Sequence, residues 1–210
     1  RDVAAIATLL GRGRYAVVGW SSGGPSALAA AVADPARVRA VACLASDAPT
    51  REHPELLEEL PPHIRDRIRR IDAGDTTAVD ELRERIAVFV ADPERLVAGA
   101  DDPDDPDARV REHPAQAAAL RAMFEGGFEQ GDEGWLEDWL ATYGDWGFRL
   151  ADVAVPVAVW RGDADRLSSA RDSEILATDI PGATLHVVPG AGHSLPVVAW
   201  DAILDSVLVG

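Results

Sequence analysis

The sequence contains no lysine. All 20 basic residues are arginine, set against 36 aspartates and glutamates, so the net charge is −16 and the sequence pI is near 4.6. Without lysine, chemistry that needs a Schiff-base lysine or the lysine of a phosphate-binding loop is excluded. The shortage of positive charge also argues against nucleic acid as a partner, because phosphate binding requires a basic surface.

Cysteine and long apolar runs are scarce as well. The single cysteine, Cys43, cannot form an internal disulfide, and it lies in an apolar run where a buried thiol is expected. No run reaches the roughly 18 consecutive apolar residues that a membrane span needs, and the chain does not open on a signal-peptide pattern. We therefore expect a cytoplasmic protein with no membrane partner.

Hydrophobic residues nevertheless make up 47% of the 210 residues, which is enough to bury a core. The first ten residues already have amphipathic helical spacing, with Val3, Ile6 and Leu9 on one face. A chain that opens within a helix suggests that upstream sequence is missing, and with it any targeting signal.

Two groups of apolar runs predict an α/β fold. Residues 15–19 and 38–44 have strand character, and an alanine-rich helix from residue 22 to 32 separates them and stops before Asp34-Pro35. A second group starts at Val153, with strands over 155–160 and 184–188, a helix over 168–178 and a closing helix over 195–208. Strand-helix-strand units of this apolar quality predict a mostly parallel sheet flanked by helices.

The stretch between these groups has helical periodicity and almost no strand pattern. We expect residues 1–47 and 152–210 to form the sheet-containing core and residues 48–151 to form an inserted α-helical cap. The acidic run over 101–107 predicts a solvated loop, because it lacks the alternate spacing and closing glutamate of a calcium loop.

A Gly-x-Ser-x-Gly pattern stands at Gly19 to Gly23, where the first strand hands over to a helix. A nucleophile held on so tight a turn needs small neighbours, and the helix that follows points its amides at developing negative charge. The pattern alone is weak, since a phosphate-binding or structural turn has the same letters. Its position between strand and helix favours Ser21 as a nucleophile.

A serine nucleophile needs a base and an acid that orients it. Of five histidines, His193 lies in a glycine loop directly after a strand; a solvent-exposed loop histidine is the alternative. Asp165, after another strand, is the preferred acid, and Asp163 is then expected to shape the turn by accepting backbone amides. Asp47 is a third candidate acid. The order Ser, Asp, His is typical of one fold among serine triads.

With these segments in place, the sequence resembles the α/β-hydrolase superfamily. The resemblance rests on Gly-Trp-Ser-Ser-Gly-Gly at 19–24, Trp-Arg-Gly-Asp-Ala-Asp at 160–165 and Val-Pro-Gly-Ala-Gly-His at 188–193. It implies Ser21 as nucleophile, Asp165 as acid and His193 as base, with the amide of Ser22 as one oxyanion donor.

The same resemblance implies that the four strands are the last four of a sheet that normally has eight. The second oxyanion donor comes, in this family, from a loop after an earlier strand, and this sequence has no such loop. The missing strands and their connections would need roughly 60 to 90 further residues. We therefore expect the C-terminal portion of a longer enzyme.

Seven of the twelve aromatic residues fall between residues 124 and 148, a cluster that suits the roof of an apolar substrate pocket. Trp135, Trp139 and Trp146 are candidates, although Trp135 and Trp139 are four apart and would equally bury one helix face. Trp20, beside the nucleophile, is the better candidate for substrate contact.

The predicted function is hydrolysis of a carboxylic ester, thioester or lactone through an acyl-enzyme intermediate. Relatives that act on epoxides or haloalkanes carry aspartate where Ser21 stands, which disfavours those reactions. A carbon–carbon bond hydrolase of the same fold is the alternative, as is a non-catalytic small-molecule-binding protein or a defective fragment. No metal or organic cofactor is predicted, since the histidines lack His-x-x-x-His spacing. The expected partner is a small, apolar to moderately polar acyl substrate.

Overall fold

The structure, a computed structural model, describes residues 2–98 and 104–208. The chain divides into two compact units, one of Arg1–Pro49 with Asp145–Gly210 and one of Thr50–Gly144. We name them the sheet unit and the helical unit.

The sheet unit contains four parallel strands in the order β1-β2-β3-β4 over the described residues. They are β1 (Tyr15–Trp20), β2 (Val38–Leu44), β3 (Val157–Gly162) and β4 (Thr184–Val188). The parallel sheet predicted from the sequence is confirmed, but β3 begins two residues later than expected. Proline has no amide hydrogen to donate, so the ladder of β3 starts beyond Pro156, whose carbonyl accepts from the Val41 amide at 2.9 Å.

Helices connect and flank these strands. In chain order they are α1 (Asp2–Leu9), α2 (Gly23–Ala33), α3 (Pro62–Asp72), α4 (Thr76–Ala91), α5 (Glu94–Ala98), α6 (Ala108–Glu112), α7 (Pro114–Gly127), α8 (Glu133–Tyr143), α9 (Ala170–Asp179), α10 (Leu195–Val198) and α11 (Trp200–Leu208), with short 3-10 turns at Pro54–Glu58 and Leu150–Asp152. Across the described parts of the chain, none of them is both long and apolar enough to cross a membrane.

The prediction of one closing helix over 195–208 was wrong. Ala199 leaves the helical conformation (φ −134°, ψ 19°), and its amide bonds back to the Leu195 carbonyl at 2.9 Å, which ends α10 after one turn. A new helix, α11, starts at Trp200. The break lets α11 lay Ile203 and Val207 on the sheet.

The core of the sheet unit lies on both faces of β2, whose residues are almost all buried. Side chains alternate along a strand, so Ala42 and Leu44 share one face, where they pack with Trp160 and Ile203. Helix α2 packs against β1 and β2, and α9 packs against β3 and β4. Burial raises the pKa of the Cys43 thiol to about 12, so it stays protonated at neutral pH.

The helical unit has a smaller core, in which Leu82 and Ile86 of α4 meet Leu136 of α8. In the acidic run, Asp101 to Pro103 lie outside the described residues. The rest of the run is a loop, as expected, and Asp104 is exposed. The loop is only partly solvated, because Asp107 is 8% exposed and Asp105 forms an ion pair with Arg111.

Candidate active site

The four strands bring the predicted residues to one rim of the sheet. Trp20, Leu44, Trp160 and His186 are register partners and form one row across it. In a parallel sheet the segments that follow such a row all leave from the same edge. Ser21 follows β1 directly, residues 163–165 follow β3, and residues 189–193 follow β4.

Ser21 occupies a strained turn between β1 and α2. Its φ is +55°, a left-handed backbone conformation that residues other than glycine seldom adopt. The turn is fixed on both sides, since the Ser21 amide donates to the Leu44 carbonyl at 2.8 Å and the Ser21 carbonyl accepts from the Gly24 amide at 3.0 Å. A Cβ at Gly19 would overlap the carbonyl of Gly23, so only glycine fits there. Strain of this kind costs about 1–3 kcal/mol and is concentrated at functional sites.

Ser22 is the N-cap of α2, with φ −61° and ψ −8°. It is exposed, whereas Gly24 and Pro25 behind it are buried. The first amides of a helix have no carbonyl partner within that helix and carry its positive dipole end. The amide of Ser22 is therefore suited to donate to an anion that forms on the outer side of Ser21.

The imidazole of His193 is paired with Asp165. Nδ1 of His193 lies 3.0 Å from Oδ2 of Asp165, and the two side chains are only 10% and 3% exposed. The other carboxylate oxygen accepts from the amides of Leu167 at 2.8 Å and Ser168 at 3.2 Å. A carboxylate held by two amides and a nearly dry environment is a rigid, strong acceptor for an imidazole N–H.

The other two candidate acids have different surroundings. Oδ1 of Asp163 accepts from the Gly190 amide at 2.6 Å, so that side chain joins the loops after β3 and β4. Asp47 is half-buried, and its burial, followed by the charge of nearby Asp172, raises its pKa to about 6. The charge of His193 has the opposite effect and lowers the pKa of Asp47.

Trp20 connects the strained turn with the histidine loop, the name we give to residues 189–193 after β4. Its indole Nε1 donates to the backbone carbonyl of His193 at 2.9 Å, and the two rings lie 5.6 Å apart between centroids. Trp20 also packs on the apolar core of the sheet unit. Trp20 thus holds the backbone of His193, the predicted base, in place. The Gly-x-Ser-x-Gly pattern does not reveal this contact.

The remaining candidate tryptophans contact other aromatic rings. Trp135 packs against Phe89 and Phe128, with centroids 5.6 and 5.3 Å away, and Trp146 lies 5.7 Å from Phe148. Trp139 packs on Tyr143, at 4.7 Å. Together with Ile68, Ile71 and Leu140, the Trp139–Tyr143 pair lines a cleft of about 290 Å³ within the helical unit.

Sequence reasoning missed two contributors to this rim. A Cβ at Gly162 would overlap the carbonyls of Ala191 and Gly192, so glycine at the end of β3 lets the histidine loop approach. Glycine after an apolar run is a sequence pattern that could have indicated such an approach. Ser168, whose hydroxyl lies 3.4 Å from Nδ1 of His193, has no such pattern, since serine is common in loops.

Comparison with known proteins gives a family match over nearly the whole chain. A family model described as the alpha/beta hydrolase fold matches residues 1–199. No protein of curated function matches the sequence.

Solved structures with the same fold are numerous. One is Est816, an N-acyl homoserine lactone degrading enzyme, with 24% identity and a TM-score of 0.60 over 96% of this chain and 69% of its own. A hydrolase from Pseudomonas aeruginosa PA01 has 21% identity and a TM-score of 0.67, covering 99% and 68%. The enol-lactonase from Burkholderia xenovorans LB400 has 21% identity and a TM-score of 0.61, covering 99% and 69%. At these identities the likeness establishes the fold alone.

Proposed function

The chain belongs to the α/β-hydrolase family, and from that premise we propose that it is a serine hydrolase of carboxylic esters, thioesters or lactones. In this proposal Ser21 is the nucleophile, His193 the general base and Asp165 the acid that orients it. The observation that carries the proposal is the His193–Asp165 pair at 3.0 Å, linked through Trp20 to a serine of positive φ.

The reaction runs in two halves. Oγ of Ser21 attacks the substrate carbonyl while Nε2 of His193 takes its proton, and the amide of Ser22 donates to the resulting oxyanion. The tetrahedral intermediate collapses, and the leaving alcohol or thiol receives the proton from His193. Water, deprotonated by the same nitrogen, then attacks the acyl-enzyme, and the carboxylic acid leaves as Ser21 regains its proton. Asp165 keeps its charge throughout and stabilises the imidazolium.

The substrate class is supported by the fold neighbours and by the chemistry of the rim. Est816, the enol-lactonase and a thermophilic esterase from Thermogutta terrifontis act, by their descriptions, on lactones or esters, although each is less than 25% identical to this chain. We propose Trp20 as the main substrate contact and the helical unit as the cap. Roles for Trp135, Trp139 and Trp146 in substrate binding, and a cytoplasmic location, remain predictions from the sequence.

A fluorophosphonate probe tests the proposal, because it forms a covalent bond with an activated serine and needs no knowledge of the substrate. We expect the folded full chain to be labelled and the Ser21→Ala variant to be silent. Ser26→Ala is the matched control, since Ser26 is an exposed serine of α2 and its loss should leave labelling intact. A cooperatively melting wild-type chain that takes no label, or labelling that survives in Ser21→Ala, would refute the assignment.

A further inference from the structure

Ser168 lies in the loop after β3, and its hydroxyl reaches two groups that come from distant parts of the chain. Oγ is 2.7 Å from the carbonyl oxygen of Ala45 and 3.4 Å from Nδ1 of His193. The amide of the same residue donates to Asp165 at 3.2 Å. One serine therefore contacts both members of the histidine–aspartate pair as well as the end of β2.

The hydroxyl has one proton, and the geometry determines where it goes. A carbonyl oxygen can only accept, so the Ser168 hydroxyl donates its proton to the Ala45 carbonyl at 2.7 Å. The oxygen then has only lone pairs to offer to His193. It can stabilise the imidazole only if Nδ1 carries a hydrogen.

Asp165 also requires a hydrogen on Nδ1 of His193. Its carboxylate, 3.0 Å from Nδ1, is an acceptor. With two acceptors facing Nδ1, the neutral ring is held in the tautomer whose proton is on Nδ1. In this tautomer Nε2 keeps its lone pair and can therefore take a proton from a serine.

The anchor of the Ser168 hydroxyl belongs to the sheet rather than to a loose loop. Ala45 is fully buried, and its amide donates to the Trp160 carbonyl at 2.8 Å, which extends the ladder between β2 and β3. Its φ of +45° is positive, and among the described residues other than glycine only Ser21 shares that feature. This conformation accompanies a carbonyl that accepts from Ser168.

We propose that Ser168 is a positioning residue, whose hydroxyl, oriented by the Ala45 carbonyl, fixes the Nδ1–H tautomer and the ring orientation of His193. The effect on turnover rests on the proposed hydrolase function, whereas the effect on the tautomer does not. The role differs from that of the neighbouring Ser169, whose hydroxyl accepts from the Asp172 amide at 3.2 Å and caps α9.

Nitrogen-15 NMR of the full chain, labelled in its histidine side chains, reads the tautomer directly and does not depend on activity. We expect wild-type His193 to carry its proton on Nδ1. In Ser168→Ala the Nε2–H form should become measurable and the Nδ1 proton should exchange faster with water. Ser168→Thr, which retains a hydroxyl, should restore the wild-type pattern.

The neighbouring Ser169→Ala variant separates positioning from stability. It removes a helix cap and should lower the melting temperature, yet leave the His193 signals unchanged. In activity, Ser168→Ala should lower kcat by about three- to tenfold with KM unchanged, the size expected for one modest hydrogen bond.

Two results would overturn the proposal. One is a wild-type His193 that carries its proton on Nε2, a measurement that needs no variant to fold. The other is a folded Ser168→Ala whose tautomer and proton exchange equal those of the wild type. If the wild type takes no fluorophosphonate label but shows the expected NMR pattern, the hydrolase proposal fails and the positioning role stands.

Discussion

The sheet unit and the helical unit use charge differently. In the sheet unit, the ion pairs Arg37–Asp34, Arg149–Asp152 and Arg171–Glu174 each join residues three apart on the same stretch of chain. The helical unit has local ion pairs too, but others join separate helices: Arg70 of α3 reaches Glu81 of α4, Arg83 of α4 reaches Glu133 of α8, and Arg121 of α7 reaches Glu94 of α5.

The difference follows from how much apolar surface each unit buries. Strands β2 and β3 are buried on both faces, so apolar contacts with the sheet hold the helices of the sheet unit in place. The helices of the helical unit bury few residues each, and α7 buries none completely. Exposed ion pairs contribute little energy individually, so the helical unit is expected to open more readily than the sheet unit.

The largest expected effect follows from assigning all the chemistry to the sheet unit. Asp165→Asn should lower kcat/KM by about 10⁴-fold, because an amide at this position no longer favours a proton on Nδ1 of His193. Ester hydrolysis measured with a chromogenic substrate checks this. Asp92→Asn, an exposed carboxylate of the helical unit, is the control and should retain full activity. Equal losses in both variants would contradict the assignment.

The next effect concerns apolar burial in the sheet unit. Leu28 of α2 is fully buried, so Leu28→Ala should lower the free energy of unfolding by about 2–5 kcal/mol. Urea denaturation followed by circular dichroism measures it. Leu167→Ala in the same unit is the control, because Leu167 is 76% exposed and its loss should change stability by less than about 0.5 kcal/mol. Similar values for the two leucines would show that burial does not locate α2.

A pH-dependent effect is expected at Asp47, whose pKa responds to its burial and to the charges of Asp172, His193 and Asp165. Its pKa is about 6 in the folded chain and close to 4 when unfolded, so between these values folding takes up a proton. The stability contribution of Asp47 therefore falls as pH rises from 4 to 6 and stays low above that range. Asp47→Asn should stabilise the protein at pH 7 by at most about 3 kcal/mol.

Urea denaturation of both proteins at several pH values checks the Asp47 prediction. The stabilisation by Asp47→Asn should disappear near pH 4, where the wild-type carboxyl is protonated in both states. A gain of the same size at pH 4 and pH 7 would show that charge is not its cause.

The smallest effect is expected from an ion pair of the helical unit. Arg65 of α3 binds Glu58 in the preceding 3-10 turn at 2.6 Å, and Glu58 is 62% exposed. Arg65→Ala should cost about 0–1 kcal/mol, less in 1 M salt, as urea denaturation can determine. Arg171→Ala, which removes a local pair of the sheet unit, should cost no more. A loss above about 2 kcal/mol that persists in salt would mean that Arg65 acts through packing.

Much of the fold was predictable because buried parallel strands need continuous apolar runs. The bounds of β2 and β4 agree with the runs over 38–44 and 184–188. Proline at 156 delayed β3, and Ala199 divided the closing helix, because both depend on hydrogen bonds that periodicity does not describe. The helical unit was predictable only as helices, since the ion pairs that join them depend on side chains distant in sequence.

For the candidate site, the sequence predicted where reactive side chains would stand but not which of them would meet. Asp163, Asp165 and Asp47 all follow strand ends, and the order of residues alone left three candidate acids. In the structure the Asp165 carboxylate lies 3.0 Å from Nδ1 of His193, whereas Asp163 accepts from the Gly190 amide. These two aspartates are two residues apart in one turn, so the order of residues could not separate them.

The sequence by itself determined the alternation of apolar strands and helices and the presence of Ser21, Asp165 and His193 after three different strands, since these are local properties of composition and spacing. Only the tertiary structure decided that Trp20 donates to the His193 carbonyl, 173 residues away, and that Ser168 joins Ala45, 123 residues away, to the imidazole. Such contacts depend on strand register and on the close approach of loops, which nothing within a short stretch of sequence specifies.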